Sequence, residues 1–515
     1  MNMQKVNPHL IPIKGLYFLY YAGLSSFIPY KSIYQKQLGM SSGQNGFIQA
    51  TMQLVSLFSP PIAGFITDKT KAYKVMMTVC MFFSIAFTIP FYFVPPIERE
   101  VLSTKILCCE EEVNSLLHCL PIDNASNVES CLNDVNAPFD VNFTHQPDCL
   151  SPNVTLNCKY SDSTDVYGST FAILIALTML MSFFLAPVTP LVDSSAMDTL
   201  GIENVKYFGI QRLWGAVGFG IVGLAVSYFT DVISPVEVYG LEAKNYILAV
   251  VSAGLFWGAT IVLIITSIKI TAPKAKAVLR GVGKLLIKPQ VLAFIFVVLV
   301  SGFCTGVQYS YLFWYMTELN GFKQYILGLS LIVTCASEIP MFWFSGWICQ
   351  KFGYVSVLAL GLIAASIRFF TYTFITDAWQ VLLVEGLHGI SFALPNAAIC
   401  SYAAVIAPKD ATATLISISQ TAYWGLGNML GALLGGILYE AFGGVKMFRI
   451  VGAISVITAV LYEIIFGHLN LISYCYCCKD ESKKEIEAEK RDSKTKIVKT
   501  PEEEQPLHEQ ENGVV

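Results

Sequence analysis

Arg368, Glu385 and His388 have the residue types and the spacing to hold and pass a proton. Glu385 and His388 are three positions apart, so on a helix they share one face, a turn apart. An arginine beside a carboxylate stabilises its charged form until protonation or a bound solute breaks the pair. An imidazole next to both can then relay the proton near neutral pH. The bland alternative is a static ion pair that locks two helices together. Glu338 has no cation nearby in the sequence pattern; such a carboxylate is a proton or cation site, or a neutral acid hydrogen-bonded in helix packing.

Other groups could handle a solute. Asp193 and Arg212 can pair across a short connection, within a binding site or as a bridge at its rim. Tyr17 and Tyr21 (with Tyr20), and Gln420, Tyr423 and Asn428 (with Trp424), have the polar edges that line solute cavities. Tyr309, Tyr311, Trp314 and Tyr315 read instead as an interfacial belt, and Gly427, Gly431 and Gly435 as a tight helix contact. A short motif recurs, with Gly64 four residues before Asp68 and Lys69, and Gly346 four before Gln350 and Lys351. The glycine lets two helix ends approach, and the polar pair can bond to a neighbouring end in one conformation and release it in another. The sequence has no metal-ligand cluster, phosphate-binding glycine loop or nucleophile triad. The reading is therefore not an enzyme, with no cofactor and no metal.

These residues need a membrane scaffold to position them. Of 515 residues, 54% are hydrophobic and 14% charged, against about 25% charged in a soluble domain. The net charge of -4 leaves no basic surface for nucleic acid. A bilayer core takes about 20 mostly apolar residues per helix. That ruler predicts helices 1 to 6 at 11–29, 46–66, 75–94, 167–191, 207–228 and 246–265, and helices 7 to 12 at 291–316, 325–349, 355–375, 378–406, 415–438 and 447–466. The expected fold is an all-α membrane protein with twelve transmembrane helices in two six-helix bundles, 1–266 and 290–472. A basic cytoplasmic linker, 267–289, joins them, and a disordered cytoplasmic tail, 473–515, follows. Arg368 and Glu385 then lie ~9 Å below the outer surface and Glu338 ~20 Å below it. Charges at such depth cost at least ~2.5 kcal/mol, which makes each a functional candidate.

Both termini read as cytoplasmic. Lys69, Lys71, Lys74 and the linker bases Lys269, Lys274, Lys276, Arg280, Lys284 and Lys288 lie on that side, against only Lys31, Lys36, Lys244, Lys323, Lys446 and Arg449 outside. The linker suits a segment resting on anionic lipid. Segment 95–166 is then extracellular, with glycosylation sequons at Asn124, Asn142 and Asn153. It also holds Cys108, Cys109, Cys119, Cys131, Cys149 and Cys158, an even set that suggests a disulfide-rich loop without choosing the pairing. Cys475, Cys477 and Cys478 are palmitoylation candidates or plain free thiols. Sequons require the secretory pathway, which the plasma membrane and the lysosomal or endosomal membrane both satisfy.

The recurring glycine motif resembles the cytoplasmic signature between helices 2 and 3 of the major facilitator superfamily, often echoed between helices 8 and 9. Ala72 and Tyr73 depart from its usual glycine and arginine. The stretches Tyr207-Phe-Gly209-Ile-Gln-Arg212-Leu-Trp214-Gly215 and Leu387-His388-Gly389-Ile-Ser-Phe392 resemble the lactose permease and nucleoside symporter branch. They are most similar to its animal relatives, the major facilitator superfamily domain-containing protein 6 group. The resemblance covers nearly all of residues 1–472. In lactose permease-like proteins an arginine on helix 9 and a histidine and glutamate on helix 10 carry proton coupling. Arg368 and His388 match those places; the glutamate's place is taken by Ser391, and Glu385 lies a turn to the other side. Asp193 and Arg212 correspond to an acid and an arginine that bind sugar in that family.

The expected function is a secondary active transporter that moves a small polar solute by alternating access, with protons as the candidate coupling ion and membrane lipids as surroundings. The alternative is a cell-surface receptor or scaffold whose cysteine-rich loop binds an extracellular protein.

Overall fold

The computed structural model describes residues 10–97, 100–108, 119–121, 139–143, 154–160, 168–204, 208–233, 235–238, 241–267, 287–407 and 412–496. Helix 1 is Ile11–Gln37, with Pro29 inside it. It outruns its predicted end because one proline removes a single backbone bond, which neighbouring helices in a membrane protein tolerate. Helix 2, Ser42–Thr70, starts on a capping box, with the Ser41 side chain accepting from Gln44 N and the Gln44 side chain from Ser41 N. Helix 3 is Tyr73–Thr88. Helix 4 comes in two pieces, Ser169–Leu185 and Val188–Asn204, interrupted at Pro187. Helices 5 to 9 are Phe208–Val232, Ile247–Ser267, Pro289–Met316, Gln324–Phe352 and Tyr354–Tyr372.

Helices 10 and 11 depart from regular geometry in the same way. Helix 10 runs Val381–Glu385, a π-helical turn Gly389–Ala393, then Leu394–Ile406. Helix 11 runs Thr412–Gln420, a π-helical turn Thr421–Gly427, then into Asn428–Lys496. Helix 12 follows Gly443, whose φ of 77° interrupts that last segment. Ten stretches of the described residues are long and apolar enough to cross a membrane. Ile11–Gln37, with Lys14, Lys31 and Lys36, falls outside the ten, while the last, Thr414–Ile464, has 51 residues, more than two crossings.

The structure corrects the all-α expectation in two places: Val236–Val238 pairs antiparallel with Leu241–Ala243 between helices 5 and 6, and a larger sheet lies between helices 3 and 4. The segment between helices 3 and 4 forms an antiparallel sheet of β1 Glu100–Cys108, β2 Cys119–Pro121, β3 Phe139–Phe143 and β4 Val154–Tyr160, in the order β2-β1-β4-β3. Its pattern is period two: Val154, Leu156 and Cys158 stand opposite Phe143, Val141 and Phe139. Cys108 stands opposite Cys119 in register. The cysteines whose side chains are described, Cys80, Cys304, Cys335, Cys349 and Cys400, are free thiols. Asn124, Asn153, Cys109, Cys131, Cys149 and most of the linker lie outside them, as do the side chains of Asn142, Cys108, Cys119, Cys158, Cys475, Cys477 and Cys478.

A second difference concerns the tail. Residues Leu461–Val515 form a separate unit in which helix continues to Lys496, where the sequence reading expects disorder. Asp480/Lys484, Glu487/Arg491 and Asp492/Lys496 have the four-residue acid-to-base spacing that supports a solvated helix.

Helix 1 packs chiefly on helices 5 and 6, helix 8 on helix 5, and helix 7 on the π-turn of helix 11. The last contact is backbone to backbone. A Cβ on Gly306 would meet Asn428 Cα at 2.8 Å, and one on Gly427 would meet Gly302 Cα at 2.9 Å. Gly306→Val should therefore cost about 1–3 kcal/mol through overpacking, measured as a lower Tm of the detergent-purified protein. Gly346→Ala, with nothing within 4 Å of the added atom, should leave Tm unchanged.

Candidate functional site

The two halves of the molecule are tied at one end and parted at the other. At the tied end Lys36 Nζ, on helix 1, lies 2.7 Å from Glu318 Oε1 beyond helix 7 and donates to Thr317 Oγ1 at 2.9 Å. It also sits 5.1 Å over the Trp314 ring, and Tyr439 OH donates to Glu318 Oε2 at 2.6 Å. A second tie links helix 5 to helix 8: Asp231 holds Lys244 Nζ at 2.7 Å and accepts from Tyr325 N at 2.8 Å. Tyr311, Trp314 and Tyr315 are 0%, 1% and 5% exposed here, so they are gate packing and not the lipid-facing belt expected from their spacing.

At the other end Gly64 and Gly346 have no neighbour within 4 Å of an added Cβ. Lys351 covers the rings of Trp347 and Phe352 on its own helix, at 4.9 and 5.5 Å, and forms no ion pair among the described residues. Lys69 and Gln350 are exposed, and the Asp68 side chain lies outside the described residues. The close approach expected of this motif is therefore not made by the described residues around either glycine. The conformation is closed on the side read as extracellular and open on the side read as cytoplasmic. Lys36→Ala should weaken the closure, since the pair is part-buried and networked. The expected outcome is several-fold faster labelling, by an impermeant maleimide outside, of a cysteine introduced at Ser32.

Between the ends lies the charged cluster. Arg368 and Glu385 are both 2% exposed. Arg368 Nη2 is 2.9 Å from each Glu385 oxygen and donates to Tyr372 OH at 3.0 Å. Tyr372 OH in turn donates to Glu385 Oε1, and Thr334 Oγ1 donates to Glu385 Oε2 at 3.1 Å. Arg368 Nη1 donates to Gln308 Oε1 at 3.0 Å, Ser391 Oγ at 2.7 Å and His388 Nδ1 at 3.1 Å. Gln308 Nε2 also points at His388 Nδ1, at 3.2 Å. An arginine can only donate, so Nδ1 is the acceptor and a singly protonated His388 carries its hydrogen on Nε2. Nε2 lies 3.1 Å from Glu338 Oε1, off the line of an ideal hydrogen bond. Glu338 thus has a partner that the sequence pattern does not reveal, because it comes from another helix.

The cluster is a line of four groups: Glu385, Arg368, His388 and Glu338. Its inner members are sealed, while the Glu338 side chain is 19% exposed and opens on the space between the halves. Gln308, Tyr372, Thr334 and Ser391 belong to it and were not singled out as site residues from sequence. Tyr372 carried a signal, four residues after Arg368 on the same helix face. Gln308 was legible only as one amide in an apolar helix.

On the N-terminal half Tyr17 OH donates to Asp193 Oδ1 at 2.7 Å, and Arg212 Nη1 lies 3.9 Å from Asp193 Oδ2. Tyr21 stands beside Arg212. The Arg212 and Asp193 side chains are 55% and 28% exposed, so this pair lines open space. Three expected cavity residues do not line it. Tyr17, Tyr423 and Asn428 are 0%, 1% and 2% exposed, because Tyr17 is held by Asp193, Tyr423 shares a 2.7 Å hydrogen bond with Thr305, and Asn428 packs on Gly306. Gln420 is partly exposed and donates to Cys400 Sγ at 2.9 Å. Tyr309 and Trp424, 48% and 37% exposed, face the open space instead.

Residues 10–450 match the model of the MFS_1 like family. The chain is 26% identical over 283 residues to a maltose permease of Geobacillus stearothermophilus, covering 55% of this chain and 69% of that protein. It is 22% identical over 325 residues to major facilitator superfamily domain-containing protein 6-like protein B of Xenopus laevis, covering 62% of this chain and 52% of that one. This match therefore spans about half of the Xenopus protein. Among solved structures, the nucleoside transporter NupG superimposes with TM-score 0.65 at 13% identity, over 89% of this chain and 99% of NupG. A D-xylose-proton symporter gives TM-score 0.57 at 13% identity, over 88% and 96%.

Proposed function

The chain belongs to the MFS_1 like family, and from that premise we propose that it is a twelve-pass, proton-coupled secondary transporter of a small polar solute. The observation that carries the reading is the line from Glu385 to Glu338: a sealed ion pair connected through one imidazole to a carboxylate that opens on the central space. A structural ion pair needs no such outlet. A coupling device needs one, because the proton must be taken up and released where water reaches.

In this mechanism the outer closure is one of two states, and transport alternates between opening there and opening at the Gly64 and Gly346 end. Protonation of Glu338 removes the charge facing His388 Nε2. The imidazole is then free to change its hold on Arg368, and Arg368 its balance between Glu385 and the Gln308 and Ser391 side. Helices 7, 8, 9 and 10 each contribute to that network, so a change in it bears on the packing that separates the two states. The solute occupies the space between Arg212 and Asp193 on one half and Glu338, Tyr309 and Trp424 on the other. The sugar and nucleoside transporters among the relatives support a solute of that size and polarity. The outer loop is read as a glycosylated, disulfide-stapled cover, with Cys108–Cys119 as the first bridge to seek by mapping non-reduced peptides.

The test is uptake of a panel of labelled sugars, nucleosides and organic acids and bases by cells expressing wild type or Glu385→Gln at matched surface level. Wild type should accumulate at least one solute, with strong dependence on outside pH, and the variant none. Equal uptake by the two would overturn the assignment of the network as the coupling element.

A further inference from the structure

Resting on the transporter reading, we infer that the solute is a compact organic cation, exchanged for a proton at Glu338. The argument begins with charge. Arg368 and Glu385 cancel one another, as do Arg212 and Asp193. Glu338 is left. The groups facing it are His388 from helix 10, Tyr309 from helix 7, Tyr423 from helix 11, Tyr21 from helix 1 and Cys335 from its own helix. Among the described residues no lysine or arginine lies within ion-pair distance of it. Lys31, buried on helix 1, is turned to Met52 Sδ at 3.0 Å, so among the described residues the Glu338 carboxylate has no lysine or arginine to balance it and is open to whatever enters.

The neighbouring walls are aromatic. Tyr309 and Trp424 lie nearly parallel, 15° apart with centroids at 6.3 Å. Phe392 closes the corner edge-on to Trp424 at 5.8 Å and stacks on the His388 ring at 5.0 Å, which joins the corner to Glu338. Tyr309 and Trp424 keep 48% and 37% of their surface free. Aromatic faces beside a carboxylate are the chemistry that binds an ammonium or a ring-delocalised cation out of water.

A polyhydroxyl solute would need free donors and acceptors on this half. Gln308, Arg368, Tyr372 and Glu385 are engaged with one another and buried, and Ser391 is held by Arg368. One carboxylate cannot hold a proton and a cation together. Cation entry thus requires proton release from Glu338, and proton return expels the cation. For a monovalent cation the exchange is one for one, with no net charge moved.

The test uses purified full-length protein and labelled 1-methyl-4-phenylpyridinium, an aromatic cation of fixed charge. Equilibrium dialysis should show saturable binding at neutral pH, at least tenfold weaker at acidic pH, lost in Glu338→Gln and about tenfold weaker in Trp424→Ala. Both variants are compared at wild-type Tm and elution profile. In proteoliposomes with an acidic lumen the cation should accumulate. Absence of saturable binding, or binding indifferent to pH or to Glu338→Gln, overturns the inference. If maltose, xylose or uridine is instead driven by the proton gradient, the transporter reading stands and the cation assignment falls. If the cation binds as described but no gradient moves it, the site stands and the transport reading falls.

Discussion

Arg368→Ala is expected to cost about 3–5 kcal/mol of stability, because it leaves Glu385 charged and buried without its guanidinium partner. The guanidinium makes its closest contacts to both oxygens of Glu385, with Tyr372 and Thr334 completing the acceptor shell. Removing the cation leaves that shell arranged around an anion with no counter-charge. The double variant Arg368→Leu/Glu385→Leu removes both charges and should recover most of the lost Tm, since well-packed apolar residues often replace a buried pair without cost. It should not recover solute accumulation. Recovery of both would reduce the pair to a helix lock, and recovery of neither would mean that the pair holds the fold by more than its charges. Tm in detergent and uptake at matched surface level read the two effects separately.

Glu338→Gln should do the reverse. The substitution keeps the shape and an acceptor for His388 Nε2, and the side chain is 19% exposed, so stability should change by less than about 0.5 kcal/mol. Gradient-driven accumulation should nevertheless collapse to its equilibrium level, because an amide at this opening of the network can neither take up nor release a proton. An unchanged accumulation ratio in Glu338→Gln would move the coupling site elsewhere.

Much of this architecture was legible in the residues. Apolar runs of about 20 residues announce membrane helices whatever packs against them, and deep charges such as Arg368 and Glu385 are too costly to be incidental. The depth estimate that put those two at one level, each about six residues from an outer helix end, matches the ion pair that the structure displays. What was not legible depends on neighbours distant in sequence. Glu338 looks isolated in the sequence because the imidazole 3.1 Å away comes from another helix, a pairing that no local pattern signals. Tyr311 and Trp314 looked like interfacial anchors because belt and gate residues share one composition; only helix-to-helix contact, as in Tyr311 OH donating to Ala432 O at 2.7 Å, tells them apart. Tyr17 and Tyr423 were expected in the cavity because a tyrosine's polar edge suits a solute and a buried carboxylate or hydroxyl equally well. The sheet between helices 3 and 4 is hard to read in the sequence because its alternation is short and broken by long connections.

The central claim is that the tied outer end and the parted inner end belong to one state of an alternating pair. The most direct test is a distance measurement between spin labels on the intact protein in lipid. One pair goes outside at Gln37 and Lys323, the other inside at Lys69 and Gln350, and each is read at neutral and acidic pH. The account predicts two distance populations at each end that shift in opposite directions when pH changes, with the pH response abolished by Glu338→Gln. A single, pH-independent distance at both ends in the folded protein would contradict it and leave a rigid receptor or scaffold as the better description.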